Sequence, residues 1–367
     1  MATDPVESLI AEGNRAEDAG DLARACELYR RAVRLAPQFA KAHLNLGIGL
    51  EASGDAAGAL AAYEKALAIE PASPAANYNL GKLLYTRGAY GDAERRLKQA
   101  LEGRAQFPEA HIVLGYALLA LGELEAAASA LETGLAQRPE DDAARAALSQ
   151  ALFNLAEIRA ARGAPQEALD AYRRLLESLP GHAAALCNVG TILKSLGRIA
   201  EALDYYRKAV AADAQCFEGH YNLAITHREQ GRNEEALASF RRAVELRPAM
   251  ADAHFALGNV LRVIDRKAEA LTAFERALAL DPDHVKARWS RVMAQLPAVY
   301  AAGEDPQAFR RQFATDLGEL ERWFDERRTP HGVIGVGADQ PFELAYQEEN
   351  NRPLLERYGT LCTRLMG

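Results

Sequence analysis

The feature that most constrains this chain is a period of 34 residues. A Leu-Gly or Leu-Ala pair is followed twelve residues later by Ala, four later by an aromatic residue or Leu, three later by a small residue, and usually then by Pro. The second copy reads Leu46, Gly47, Ala59, Tyr63, Ala66 and Pro71, and the first supplies Gly13, Ala25, Tyr29, Ala32 and Pro37. A fixed repeat of this length implies a stack of helical hairpins, because each unit can bury its apolar face only against its neighbours. The third and fourth copies keep the register through Leu80, Gly81, Ala93 and Leu97, then Leu114, Gly115, Ala127 and Leu131. The fifth arrives seven residues late, with Leu155, Ala156, Ala168 and Tyr172, so residues around 142–148 read as an insertion. Seven residues are close to two helical turns, and a longer first helix absorbs them while rotating its apolar face by only about 20°. Three further copies carry Val189, Gly190 and Tyr206, then Leu223, Ala224 and Phe240, then Leu257, Gly258 and Phe274.

Each landmark has a packing role. Small residues such as Gly47 and Ala59 let two antiparallel helices approach, and larger ones such as Leu46 and Tyr63 fill the space beside them. Ser53-Gly54, Arg87-Gly88, Leu121-Gly122 and Gln230-Gly231 stand where the first helix must stop, and glycine supplies the left-handed residue that ends it. The Pro after the second helix prevents its continuation. These residues resemble the tetratricopeptide repeat, over roughly residues 6–283. The resemblance implies an all-α fold, a right-handed superhelical solenoid of about eight hairpins. The repeats start near 6, 40, 74, 108, 149, 183, 217 and 251, and residues 284–367 form a helical C-terminal cap.

Charge and composition narrow the function. A net charge of -8 argues against nucleic acid as a partner, since phosphate binding needs a basic face. The N-terminal stretch holds Asp4 and Glu7 without an apolar core, and no run approaches the length of a membrane span. The expected location is therefore the cytoplasm. Cys26, Cys187, Cys216 and Cys362 lack paired spacing, which argues against a disulfide framework or a zinc site. The recurring His43, His111, His220 and His254 lie a repeat apart, too far for one metal, and read as packed or groove-edge rings. Arg30-Arg31, Arg173-Arg174, Arg207-Lys208 and Arg241-Arg242 fall near the ends of second helices, where cations complement the helix dipole and face solvent. GxSxG, GxxxxGK[ST], HExxH and CxxC motifs are missing. The glycines of 332–337 lack the strand-and-helix context of a phosphate loop. Neither a catalytic residue, nor a metal ligand, nor a cofactor is expected.

The candidate binding residues are Asn45, Asn79, Asn154, Asn188 and Asn222, each directly before the Leu-Gly-type pair. Stacking aligns them as a ladder. A carboxamide offers an acceptor and two donors, matching a peptide main chain, so such a ladder on the inner wall would hold an extended polypeptide whatever its side chains. Val113 interrupts the row, and Ala11 and Ala256 end it.

Beyond residue 282 the pattern changes. Residues 285–296 read as one more first helix, ended by Pro297. Phe309, Phe313, Leu317, Leu320 and Phe324 mark a long amphipathic helix over 305–328. A Gly-rich loop over 329–341 and a terminal helix around Leu354–Leu365 complete the chain. The runs 293–300 and 340–347, with 350–366, resemble the bridge of bacterial relatives of the O-GlcNAc transferase and SPINDLY group. In that family a tetratricopeptide superhelix and bridge precede a catalytic region of two nucleotide-sugar-type halves, and groove asparagines hold the substrate polypeptide. The resemblance implies that Asn45, Asn79, Asn154, Asn188 and Asn222 do the same here. The sequence ends at Gly367, where that catalytic region would begin, so no sugar-nucleotide residue is assigned. The alternative is a free-standing adaptor; its chaperone-clamp form is disfavoured in the first three repeats, where Ile10, Ala75 and Asn79 replace the basic residues of such clamps. The expected partners are extended segments of other proteins, with homodimerisation left open.

Overall fold

The computed structural model describes residues 5–296, 303–325, 328–336, 340–341, 344 and 350–367. It is all-helical among the described residues and divides into two compact units, Met1–Pro180 and Gly181–Gly367. The first unit contains five hairpins: α1 (Pro5–Asp18) with α2 (Leu22–Leu35), α3 (Ala40–Ala52) with α4 (Ala56–Ile69), α5 (Pro74–Thr86) with α6 (Tyr90–Gly103), α7 (Pro108–Leu121) with α8 (Leu124–Leu135), and α9 (Asp142–Ala161) with α10 (Pro165–Ser178). The second contains three: α11 (Ala183–Ser195) with α12 (Ile199–Ala212), α13 (Phe217–Glu229) with α14 (Asn233–Leu246), and α15 (Ala251–Val263) with α16 (Lys267–Leu280). It ends in α17 (Val285–Met293), α18 (Pro306–Trp323), a 3-10 helix (Thr329–Ile334) and α19 (Arg352–Met366).

Local chemistry sets the hairpin ends. Asp21 and Asp55 cap α2 and α4, accepting hydrogen bonds from the amides of Arg24 and Gly58 at 3.1 and 2.8 Å. Pro74, Pro108 and Pro165 open α5, α7 and α10, where a missing N–H costs nothing. Seven of the eight hairpins turn on a glycine with φ between 70° and 86°; the eighth uses Asp265 at φ 60°. Asp tolerates that region better than most residues with a side chain, so the turn survives the substitution.

Inside each hairpin a large second-helix side chain lies flat against a small first-helix residue. Tyr29, Tyr63, Leu97, Leu131, Tyr206 and Phe274 cover Gly13, Gly47, Gly81, Gly115, Gly190 and Gly258, and a Cβ on any of these glycines would overlap the covering side chain. The rings of Tyr63, Tyr172, Tyr206, Phe240 and Phe274 are buried. Helix α9 has 20 residues where the other first helices of the hairpins have 13 or 14. Residues 142–148 form its opening two turns. Across the joint to the preceding hairpin, Arg174 and Arg159 both reach Glu125, at 2.7 and 2.9 Å, and Arg174 also pairs with Glu132 at 3.1 Å.

First helices of consecutive hairpins touch one another: α1 with α3, α3 with α5, α5 with α7 and α7 with α9 in the first unit, and α11 with α13, α13 with α15 and α15 with α17 in the second. Among the described residues second helices do not come together in this way. Crowding on one side and splaying on the other makes the first-helix face the inner face of each unit.

The C-terminal segment covers the last hairpin with a core of its own around Trp289, Met293, Phe313, Leu317, Leu320, Phe324, Leu344, Leu361 and Leu365. Helix α18 starts at Pro306 behind the Asp305 cap and ends at Trp323, shorter than the 305–328 expected from its apolar spacing. Arg310 ties it to the Asn350 carbonyl at 2.6 Å, and Arg357 of α19 pairs with Glu321 at 2.7 Å. The expected irregular loop over 329–341 instead opens with the 3-10 helix. Gly332 packs against Leu365 and Gly335 against Trp289, so close packing accounts for these two glycines. Gly337, and residues 297–300, 342–343 and 345–347 of the bridge-like runs, lie outside the described residues.

Candidate functional site

The five asparagines occupy one register of the first helices, Asn45 on α3, Asn79 on α5, Asn154 on α9, Asn188 on α11 and Asn222 on α13, and all five are half-buried. Two of them reach the preceding first helix. Asn45 donates to Asn14 Oδ1 and Asn222 to Thr191 Oγ1, both at 3.5 Å and both across 31 residues. These contacts put the register on the inner face. Asn79 donates to the Ala75 carbonyl of its own helix at 2.9 Å, and Asn188 is also engaged. The Asn154 side chain has no hydrogen-bond partner among the described residues. The bonds of Asn45, Asn79 and Asn222 each employ one amide donor, which leaves acceptor and donor capacity for another chain.

Buried tyrosines support this face from behind. The Tyr29 hydroxyl lies 2.8 Å from both Asn14 Oδ1 and Glu17 Oε2. The Tyr63 hydroxyl donates to Glu51 at 2.7 Å, and Tyr206 donates to Thr191 at 3.3 Å. Burial first, and then the adjacent carboxylates, push the Tyr29 and Tyr63 phenols up, so both stay protonated donors. Near the gap left by Val113 the inner face carries rings instead: Tyr85 of α5 and Tyr116 of α7 have centroids 6.0 Å apart.

The recurring histidines have a structural task that their spacing alone does not reveal. The Nε2 of His43, His111 and His254 lies 3.0 Å from the carbonyls of Pro37, Ala105 and Pro248, and that of His220 lies 3.4 Å from the Ala214 carbonyl, each six residues upstream. Asn77 does the same to Pro71 at 3.0 Å. In five of the eight hairpins a side-chain donor thus fastens the first helix to the connection before it. No group of three or more His, Cys, Asp or Glu that could hold a metal occurs among the described residues. The cysteines are free and buried, yet Cys187 and Cys216, 29 residues apart, place their sulfurs 3.5 Å from each other between α11 and α13. Burial, followed by the neighbouring Cys216, raises the Cys187 thiol well above its ordinary range. The sequence signal was present in the offset, since the start of one first helix meets the start of the next, but it required knowing that first helices touch.

His227 is 4% exposed, and its Nδ1 is buried without a hydrogen-bond partner. Burial, then Arg207, holds its pKa below the ordinary 6.5, and burial does the same to His220. Below pH 6.5 the unfolded chain takes up these protons before the folded one does, so stability is complete above that value and declines as pH falls beneath it. The melting temperature should fall as pH drops below about 6.5. In His227→Gln the drop should shrink; an equal drop in both proteins would assign it to other groups.

Two family models, both described as tetratricopeptide repeat, match the chain, one over residues 10–77, 153–216, 221–285 and 255–296, the other over 50–115 and 84–152. The hairpin array is therefore a tetratricopeptide solenoid, and the chain belongs to the tetratricopeptide repeat family. No curated protein matches it. Among solved structures, that of Naa15/Naa10 bound to HypK-THB is similar with a TM-score of 0.56 and 17% identity, over 99% of this chain and 57% of that one. This chain thus spans little more than half the length of that relative. MamA is similar at a TM-score of 0.41 and 21% identity, over 48% of this chain and 95% of that one. A MamA fragment from Desulfovibrio magneticus RS-1 gives the same TM-score and identity, over 48% and 97%. No helix among the described residues is long and apolar enough to cross a membrane.

Proposed function

We propose that the inner faces of the hairpin stacks bind extended segments of other polypeptides, with the asparagine row gripping the main chain. The observation that carries this reading is the recurrence of a half-buried carboxamide at one register of helices that lie against each other, with Asn154 uncommitted. Asn77 spends its amide donors on the Pro71 and Ser73 carbonyls, whereas Asn45 and Asn222 reach the neighbouring first helix. The similarity to a chain solved as a complex, Naa15/Naa10 bound to HypK-THB, agrees with a binding scaffold.

Each lost peptide hydrogen bond costs about 0.5–1.5 kcal/mol. Replacing Asn45, Asn79 and Asn154 with Ala together should therefore weaken a bound peptide by about tenfold or more, with the helical circular dichroism spectrum unchanged. Fluorescence anisotropy with labelled peptides selected on the native protein measures it, and unaltered affinity would count against the groove.

The narrower reading is that the scaffold selects polypeptides for an O-GlcNAc transferase-like glycosyltransferase. It is supported by the resemblance of 293–300 and 340–347 to the bridge of that family. An encoded nucleotide-sugar-type α/β region following Gly367 in the gene would support it, and a stop codon there would favour the free-standing adaptor.

A further inference from the structure

The proposed peptide-binding faces carry a second row of residues, three positions beyond each cross-helix contact such as Asn14 and Thr191. It runs Glu17, Glu51, Tyr85, Leu119 and Ala160 in the first unit and Lys194, Arg228 and Arg262 in the second. Two contacts show that this register points along the inner face. Glu51 pairs with Lys82 of the next first helix at 3.0 Å, and Lys194 pairs with Glu229 of the next first helix at 2.8 Å.

The change of sign extends to whole helices. The first helices α1, α3, α5, α7 and α9 hold eight Asp and Glu against five Lys and Arg, whereas α11, α13, α15 and α17 hold three against six. In the second unit every carboxylate of these helices already has a cationic or imidazole partner: Glu229 has Lys194, Glu218 has Arg247 at 2.6 Å, and Asp252 has His284 at 3.2 Å. The side chain of Arg228, half-buried in the middle of the row, makes no hydrogen bond or ion pair among the described residues. Its place near a helix C-terminus suits any cation, but Glu17 and Glu51 hold the same register in the first unit, so the dipole does not dictate the choice. A half-buried guanidinium without a partner is matched by a carboxylate, which it can hold through two parallel hydrogen bonds.

Resting on the peptide-binding reading, we infer that the inner face of the second unit takes an acidic stretch of polypeptide, with Arg228 holding an Asp or Glu side chain within the Lys194–Arg262 row. A protein ligand is favoured over nucleic acid because the chain as a whole carries a net charge of -8, which repels a long polyanion.

The test uses the full chain and three fluorescein-labelled peptides built on repeated Glu-Gly-Ser-Ala, Gln-Gly-Ser-Ala and Lys-Gly-Ser-Ala units, with oligothymidylate as a fourth probe. Anisotropy should show the Glu peptide binding about tenfold more tightly than the Gln peptide, with the difference narrowing as salt rises. Arg228→Gln should remove that preference by weakening the Glu peptide far more than the Gln peptide, and Arg228→Lys should restore part of it. Equal binding of the Glu and Gln peptides to the native protein, or an undiminished preference in Arg228→Gln, would overturn the inference. Tighter binding of oligothymidylate than of the Glu peptide would overturn it in favour of a nucleic-acid face. If the Gln peptide still weakens on loss of the asparagines, the groove reading stands without the acidic preference; if no peptide binds at all, both fall.

Discussion

Trp289→Ala is expected to cost about 3–5 kcal/mol of stability, the range for emptying a buried aromatic site. The indole is fully buried and sits at the centre of the C-terminal core, edge-on to Phe324 and Tyr358 with ring centroids 6.5 and 5.7 Å away. Gly335, directly after the 3-10 helix, packs against it, and a Cβ there would come within 3.1 Å of the ring. Three elements distant in sequence therefore share one side chain, and none can move in to refill the space without losing its own contacts. Urea unfolding should show the loss. Hydrogen exchange should locate it in α17, α18 and α19, and Trp289→Phe should be milder because most of the ring volume remains. Protection lost uniformly along the chain would contradict a core private to this segment.

Tyr63→Ala should be comparably damaging, about 3–5 kcal/mol, for a reason specific to hairpins. The ring fills the gap between α3 and α4 that Gly47 leaves by having no side chain. Tyr63→Phe separates the two contributions, keeping the ring and removing the hydroxyl that donates to Glu51. Its cost should be smaller, about 1.5–3 kcal/mol for a hydrogen bond to a charged group, and Glu51 retains Lys82 as a partner. If both variants unfolded at the same urea concentration, the ring would have no packing role. Repeat arrays are stabilised by each unit and its immediate neighbours, so the local exchange protection of α3 and α4 should fall first.

Relations inside one hairpin were open to reading from the chain. Gly47 against Tyr63, the Gly54 turn and the stop at Pro71 each depend on residues a few turns apart, and their physical meaning does not change from copy to copy. Relations between hairpins were not. The approach of Cys187 to Cys216, the bond from Asn222 to Thr191 and the pairing of Lys194 with Glu229 cross 29, 31 and 35 residues. Those offsets acquire significance only once first helices are known to touch. The histidines show the same limit: their periodicity was plain, but the carbonyl six residues upstream is a matter of loop geometry. In the C-terminal segment, where no repeat disciplines the reading, apolar spacing overran the end of α18 at Trp323 and left the short helix over Thr329–Ile334 unseen. The asparagine register was legible as a pattern; which amides remain uncommitted depended on side-chain geometry.

The 20-residue α9 bears on how such arrays can vary in length. Each helical residue turns the chain by about 100°, so an added segment leaves the apolar stripe aimed at its neighbours only when its length returns nearly to a whole number of turns. Seven residues miss by about 20° in one sense, and eleven miss by a similar amount in the other. Additions of five or six would swing Leu and Ala into water and present charged groups to the adjoining hairpin. Gene duplication and slippage acting on these helices are thus filtered by phase, and viable descendants would differ from one another by heptads or hendecads.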